Sequence, residues 1–371
     1  MENKDICLSK NESNAIKGLL MFLIVLGHNA VFTNTIKGSF NYLYTFHVQT
    51  FFILPFLYGV NKCCFKDSFV KNLVRLYYPF VLFFIMLSIL WGGIQGTLVD
   101  PNSLLDLNLS GWNRVLYFIN AILTGNYFLI DYFSGFQYLW FLPVMFSMSV
   151  LRETIEYRRL IKSVVLSIGL ISYIIFFVFM YKKPYNEDVN FFLMLFSPLA
   201  ILQGCGAYFL GRTSVKIMSR YNNKPKSIIS WLFVIASIIY LILECMGLLS
   251  NVVLWCFRFI MPFLFINFLY SLKGRLEKFG VLKNLGIYSF PIYIIHPMLC
   301  TIAFMICQKF SCVNIVMAIV VQVIVIFVSY YISVWLFRIE PLRKKIFPRN
   351  WEEICDESRE KNSSSNLRIT Q

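Results

Sequence analysis

"IKGLLMFLIVLGHNAVF", residues 16–32, is apolar enough to lie in lipid, yet near its end it carries a histidine and an asparagine. Whether it is a soluble core helix or a membrane span decides the fold, and the rest of the chain supplies the answer. Of 371 residues, 58% are hydrophobic and 14% charged, with 38 Phe and 21 Tyr, far from the balance of a soluble domain. Apolar stretches of about 17 to 22 residues recur, the length an α-helix needs to cross a hydrocarbon core of about 30 Å. Barrel strands would read as short alternating segments instead. The expected fold is all-α: a polytopic integral membrane helical bundle.

Ten spans are expected, at about 15–33, 41–60, 76–95, 138–151, 163–181, 191–210, 229–247, 252–271, 288–308 and 313–337. The stretch 115–130 is a rival span. Cytoplasmic connections accumulate Lys and Arg, so charge decides between the two arrangements. With ten spans and both termini cytoplasmic, 28 basic residues fall inside and 5 outside. If 115–130 crossed as well, 10 would fall inside and 23 outside. That stretch is therefore expected to lie in the interface or re-enter from the outer side.

The domain organisation follows: a cytoplasmic leader at 1–14, a transmembrane domain at 15–338, and a cytoplasmic tail at 339–371 whose Ser/Asn-rich end is expected to be disordered. The polar leader and the lack of a small-residue cleavage pattern mark the first apolar segment as an uncleaved helix. The net charge of +15 suits loops lying against anionic lipid head groups, and no motif supports a nucleic-acid partner. The 10 cysteines contain no C-x-x-C pair, and half of them sit inside expected spans, where a thiol packs as a small hydrophobe without a functional message. Neither a metal site nor a resident cofactor is expected.

The three histidines, His28, His47 and His296, all fall inside expected spans. An ionisable side chain at membrane depth points to a functional site; the plainer alternative is a neutral imidazole bonded to a neighbouring helix. Spacing favours function for His28. Lys17 precedes it by eleven residues, which on a helix leaves the side chains about 20° apart in azimuth and about 16 Å apart along the axis. A cation at the inner mouth and an imidazole deep inside would line one wall, suiting a long anionic substrate whose reactive end reaches inward. Alone, Lys17 would read as a snorkelling, orientation-setting residue.

His47 is expected at the depth of His28, about 7 Å below the outer boundary, and His296 nearer the inner half of its span, beside the backbone break at Pro297. Asn29 points about 100° away from His28 and is expected to bond a neighbouring helix. Glu244 and Arg258, joined by a short outer turn, are expected to neutralise each other. Trp140 is interfacial by default, although a tryptophan facing an outer cavity can stack on a sugar ring.

Five fragments, in this order, carry a resemblance: "IKGLLMFLIVLGH" (16–28), "FHVQTFF" (46–52), "VRLYYPFVLFF" (74–84), "YLWFLPVMF" (138–146) and "SFPIYIIHP" (289–297). From about residue 10 to 340 the chain resembles the acyltransferase 3 family of integral membrane acyltransferases, in the branch of fucose 4-O-acetylase and polysaccharide O-acetyltransferases. The resemblance implies an enzyme of the cell (plasma or inner) membrane. It would transfer an acyl group, commonly acetyl from cytoplasmic acetyl-CoA as co-substrate, to a carbohydrate hydroxyl at the outer face. It implies that His28 is the catalytic histidine, and that Lys17 and Arg75 hold the acyl-CoA. Lys17 stands where the family more often has arginine, which keeps the charge and loses the bidentate fork. Gln49 replaces a usual proline and "ILPF" (53–56) a common Ser-Gly, so acceptor choice is not carried over. His47, Gln49, Trp140, Glu244, Arg258 and His296 are the acceptor or cavity candidates.

As a neutral imidazole, His28 can act as a general base on the acceptor hydroxyl or accept the acyl group covalently. Two other classes fit parts of the pattern. A flippase of lipid-linked glycan precursors would want many spans, but with internal repeats that are not seen here. A haem-binding membrane protein could use His28 and His47.

Overall fold

The computed structural model describes residues 8–57, 64–95, 111–182, 196–220, 227–350 and 353. Among them every regular element is a helix. By contact the chain groups into two compact units: residues 1–61, 160–184 and 202–333 form one, and residues 62–159, 185–201 and 334–371 the other. The elements run α1 (Lys10–His28), α2 (Ala30–Thr35), α3 (Ser39–Tyr44), α4 (His47–Ile53), a 3-10 turn (Leu54–Leu57), α5 (Phe65–Asn72), a π-helical turn (Leu73–Tyr77) and α6 (Tyr78–Gln95). They continue with α7 (Gly111–Thr124), α8 (Tyr127–Ser134), a 3-10 turn (Gln137–Trp140), α9 (Phe141–Tyr157), α10 (Arg159–Lys182), α11 (Pro198–Arg220) and α12 (Ser227–Cys245). α13 (Asn251–Leu276), α14 (Gly280–Ile287), α15 (Ser289–Lys309), α16 (Ile315–Arg338) and α17 (Glu340–Ile346) complete the chain.

Among the described residues, five helical runs are long and apolar enough to cross a membrane: Phe65–Gly93, Arg159–Val178, Asn251–Leu276, Ser289–Lys309 and Ile315–Arg338. They coincide with the third, fifth, eighth, ninth and tenth expected spans. The others differ for identifiable reasons. The first breaks at Asn29, and the second is divided among α3, α4 and a 3-10 turn. The fourth opens in the 3-10 turn before α9, and the seventh corresponds to the shorter apolar helix Ser230–Cys245. Residues 191–195 of the sixth lie outside the described residues, as do 1–7 of the leader and most of the tail beyond Asn350. The rival stretch 115–130 is not one helix: Gly125, at a φ of 62°, separates α7 from α8, and Asn126 caps α8 by accepting from the Phe128 and Leu129 amides. α7 has 14 residues, about 21 Å of helix and too short to cross.

In the first unit, α1 is the central post, packed by α4, α13, α14 and α15. Its start is fixed by a capping box: the Glu12 amide donates to Ser9 Oγ at 3.1 Å and the Ser9 amide to Glu12 Oε2 at 2.7 Å. The closest contact is with α14, at two glycines. A Cβ on Gly18 would lie 1.8 Å from the Leu282 carbonyl oxygen, and one on Gly286 would lie 1.8 Å from that of Asn14. Backbone meets backbone there, the small-residue packing that membrane helices use for close approach.

In the second unit, α5 is held to α9 through Glu153. Its carboxylate is 2.8 Å from Lys71 Nζ and accepts from Ser68 Oγ at 2.6 Å. Burial alone would raise this carboxyl's pKa. The hydrogen bonds from Lys71 and Ser68, with the charges of Lys71 and Arg152, outweigh burial and leave it lowered.

Candidate active site

α1 stops at His28 because Asn29 leaves the helical conformation, at φ −74° and ψ 91°. Its side-chain oxygen accepts from the Phe32 amide at 3.2 Å, capping α2. Its Nδ2 donates to the Ala318 carbonyl at 2.9 Å and meets Gln322 Oε1 at 3.4 Å. Gln322 in turn donates to the Phe22 carbonyl at 3.2 Å. The polar pair that ends the opening stretch thus divides its work. Asn29 closes the helix and ties it to α16, and His28 is left as the last residue of α1, directed by a fixed end.

The three histidines come together. The His28 and His296 ring centroids are 5.2 Å apart with planes at 63°, and Tyr44 stands edge-on to His28 at 6.4 Å and to His47 at 4.7 Å. His47 and His296 have no exposed surface, whereas His28 is only half-buried. His47 Nδ1 donates to the Leu43 carbonyl, and His296 Nδ1 donates to the Ile292 carbonyl at 3.0 Å. A carbonyl only accepts, so both rings carry their proton on Nδ1 and leave Nε2 as the acceptor. Gly27 lines this cluster: a Cβ there would press on the Tyr44 ring at 3.3 Å and meet His47 Nε2 at 3.6 Å, an ordinary contact.

His296 lies beside His28, and not deeper as its place in the ninth span suggests. A Cβ on Gly18 would sit 3.0 Å from the Gly286 amide nitrogen. From that crossing α1 runs unbroken to His28, whereas the chain from Gly286 passes the non-helical Tyr288 between α14 and α15 before it reaches His296.

Lys17 and His28 lie on one uninterrupted helix, and Lys17 is half-buried. Met21 and Ile24 share their stripe and are 1% and 2% exposed, so the wall between cation and imidazole is closed by apolar side chains. Gln49 on α4 accepts from Gln203 Nε2 of α11 at 3.1 Å. Glu244 at the end of α12 packs against Gly38, and Arg258 lies over the Trp255 ring at 5.0 Å.

In the other unit, Arg75 is exposed on the π-helical turn. Pro79 supplies no amide hydrogen, and the Tyr78 amide bonds back to the Leu73 carbonyl, so the helix is rewound locally. Trp140 is half-buried at the start of α9, its ring 6.3 Å from those of Tyr127 and Phe141.

Sequence reasoning missed Tyr44 and Gly27 as parts of this site. Tyr44 stands three residues before His47 and would fall on its face of a continuous helix. The signal existed, but the break between α3 and α4 removes the periodicity that would have carried it.

A family model described as an acyltransferase domain (Acyl_transf_3) matches residues 10–338. No curated protein and no solved structure matches the chain. The match takes in both units, all three histidines and Lys17, and it covers most of a chain built of apolar helices; the chain belongs to the acyltransferase 3 family of membrane acyltransferases.

Proposed function

We propose that the protein is an O-acetyltransferase of the cell membrane. It takes the acetyl group of cytoplasmic acetyl-CoA and places it on a hydroxyl of a cell-surface or lipid-linked sugar at the outer face, with His28 as the general base. The observation that carries this reading is the state of His28: it ends α1, retains accessible surface and is backed by His296, whose ring is fully buried. His28 accepts the hydroxyl proton as the oxygen attacks the thioester carbonyl. The C–S bond then breaks, and the same proton passes to the departing sulfur, so the ring returns to its neutral form. Lys17 holds the phosphates of the donor, and the Met21/Ile24 stretch opens to admit its acyl arm.

His296 acts here as a positioning residue, with its Nδ1 tied to Ile292 and its ring set against His28. His296→Phe keeps an aromatic ring but loses that bond, and is expected to lower kcat about tenfold or more with KM for acetyl-CoA unchanged; His296→Gln, which retains a donor, recovers part of the loss. A purely structural role would show instead as reduced folded protein with normal kcat per folded molecule.

The test of the function is transfer of radiolabelled acetyl from acetyl-CoA, supplied at the basic-loop side of sealed vesicles, to glycan on the opposite side. Label in the glycan is the expected result, and label that never leaves the CoA pool overturns the reading. Lys17→Ala removes one charge-assisted contact of about 1.5–3 kcal/mol, which raises KM for acetyl-CoA by about 10- to 100-fold and spares kcat at saturating donor.

A further inference from the structure

α15 ends in a cysteine pair for which the reaction above has no use. Beyond Lys309 the chain closes the helix with a Schellman motif. The Ser311 amide donates to the Gln308 carbonyl at 3.0 Å, the Cys312 amide donates to the Cys307 carbonyl at 2.9 Å, and Ser311 sits at a φ of 51°. In this motif the residues at the two ends of the longer bond turn their side chains onto each other, normally as an apolar contact. Here both are cysteines. Cys312 Sγ lies 3.6 Å from the Cys307 carbonyl oxygen, and both residues are free thiols in this structure. Cys307 is 2% exposed and Cys312 half-buried, so the second thiol faces the approach. The left-handed position is held by serine, where glycine would be at ease, so the backbone turn is kept against local preference.

We propose that Cys307 and Cys312 are joined by a disulfide that clamps the C-terminal end of α15, the helix that carries His296. Bond formation needs a disulfide-bearing oxidant of the thiol–disulfide oxidoreductase class. Cys312 as thiolate attacks its disulfide, Cys307 as thiolate displaces the mixed disulfide, and the Sγ–Sγ bond forms. The two electrons and two protons given up by the cysteines leave with the oxidant as a dithiol. The proposal rests on the orientation that places the turn between α15 and α16 at the outer face, where thiols meet oxidising conditions.

The experiment uses the full chain in membranes of a host with an oxidising outer compartment. Free thiols are blocked with an alkylating reagent before solubilisation, and the peptides are mapped without reduction. The expected result is a linked peptide pair containing Cys307 and Cys312, two hydrogen masses lighter than the reduced pair and lost on reduction. Alkylation of both cysteines without prior reduction overturns the disulfide. Orientation is read separately from Cys307→Ser, in which Cys312 is left as a lone thiol. Labelling of the Cys312 peptide by a membrane-impermeant maleimide in intact cells supports the outer placement, and labelling of that peptide only after permeabilisation overturns it. Because neither readout uses acyl transfer, loss of the O-acetyltransferase reading leaves both results interpretable.

Discussion

Replacing His28 with glutamine is expected to lower kcat for acetyl transfer by about 10²–10⁴-fold, the range that a positioned general base contributes, while KM for acetyl-CoA stays near its wild-type value. Under the proposed function Lys17 binds the donor, and it lies about 16 Å from His28 along α1, so removal of the imidazole leaves that phosphate contact in place. Glutamine is the informative replacement: it fills similar space and can still hydrogen-bond the acceptor, but it cannot take a proton. The fold should survive, because α1 is terminated by Asn29 and its bonds to Ala318 and Gln322, not by His28. Initial-rate kinetics on vesicles matched for folded protein measure the effect. Wild-type kcat in the glutamine variant removes His28 from the chemistry, and substitution of His47 or His296 would then be the next measurement.

The second large effect is expected at the crossing of α1 and α14. Gly286→Ala places a methyl group 1.8 Å from the Asn14 carbonyl oxygen, and Gly18→Ala does the same at Leu282. The obstructing atoms are backbone, so no rotamer change relieves the clash and the helices must separate. The cost lies at or above the top of the range of about 1–3 kcal/mol for overpacking a close contact. Separation also shifts α14, and through it α15 and His296, relative to His28, so activity per folded molecule should fall as well. Gly274→Ala is the control. Nothing lies within 4 Å of its new Cβ, and an exposed helical glycine replaced by alanine gains about 0.5–1 kcal/mol. Thermal unfolding in detergent compares the three variants; an unchanged Tm for Gly286→Ala would show that the crossing is looser than its geometry indicates.

Much of the architecture is legible because lipid imposes simple rules. Five of the expected spans recur as long apolar helices, and the charge count that kept 115–130 from being a span agrees with its division at Gly125. The break in the first span has a definite cause. A hydropathy window averages over about 19 residues and is blind to a single polar residue that finds a better partner elsewhere. Asn29 breaks the first span because Ala318 and Gln322 of α16 receive its amide, a fact of three-dimensional proximity nearly three hundred residues away. The same blindness applies to the cysteines. Cys307 and Cys312 carry no functional message in the sequence until the helix cap brings the Cys312 thiol to the Cys307 carbonyl.

The sequence by itself determined that this chain is a bundle of membrane helices, and that Lys17 and His28 share one face of one helix, since both follow from composition and from the 3.6-residue period within a single element. Only the tertiary structure decided that His296 stands beside His28, that Tyr44 and His47 complete the cluster, and that Met21 and Ile24 close the wall between cation and imidazole. Periodicity fixes where side chains point around one helix but carries no information about the height at which two helices meet. Here the contact of Gly18 and Gly286, where the absence of side chains lets two backbones touch, sets how α14 meets α1, and the turn at Tyr288 then directs α15 and its His296.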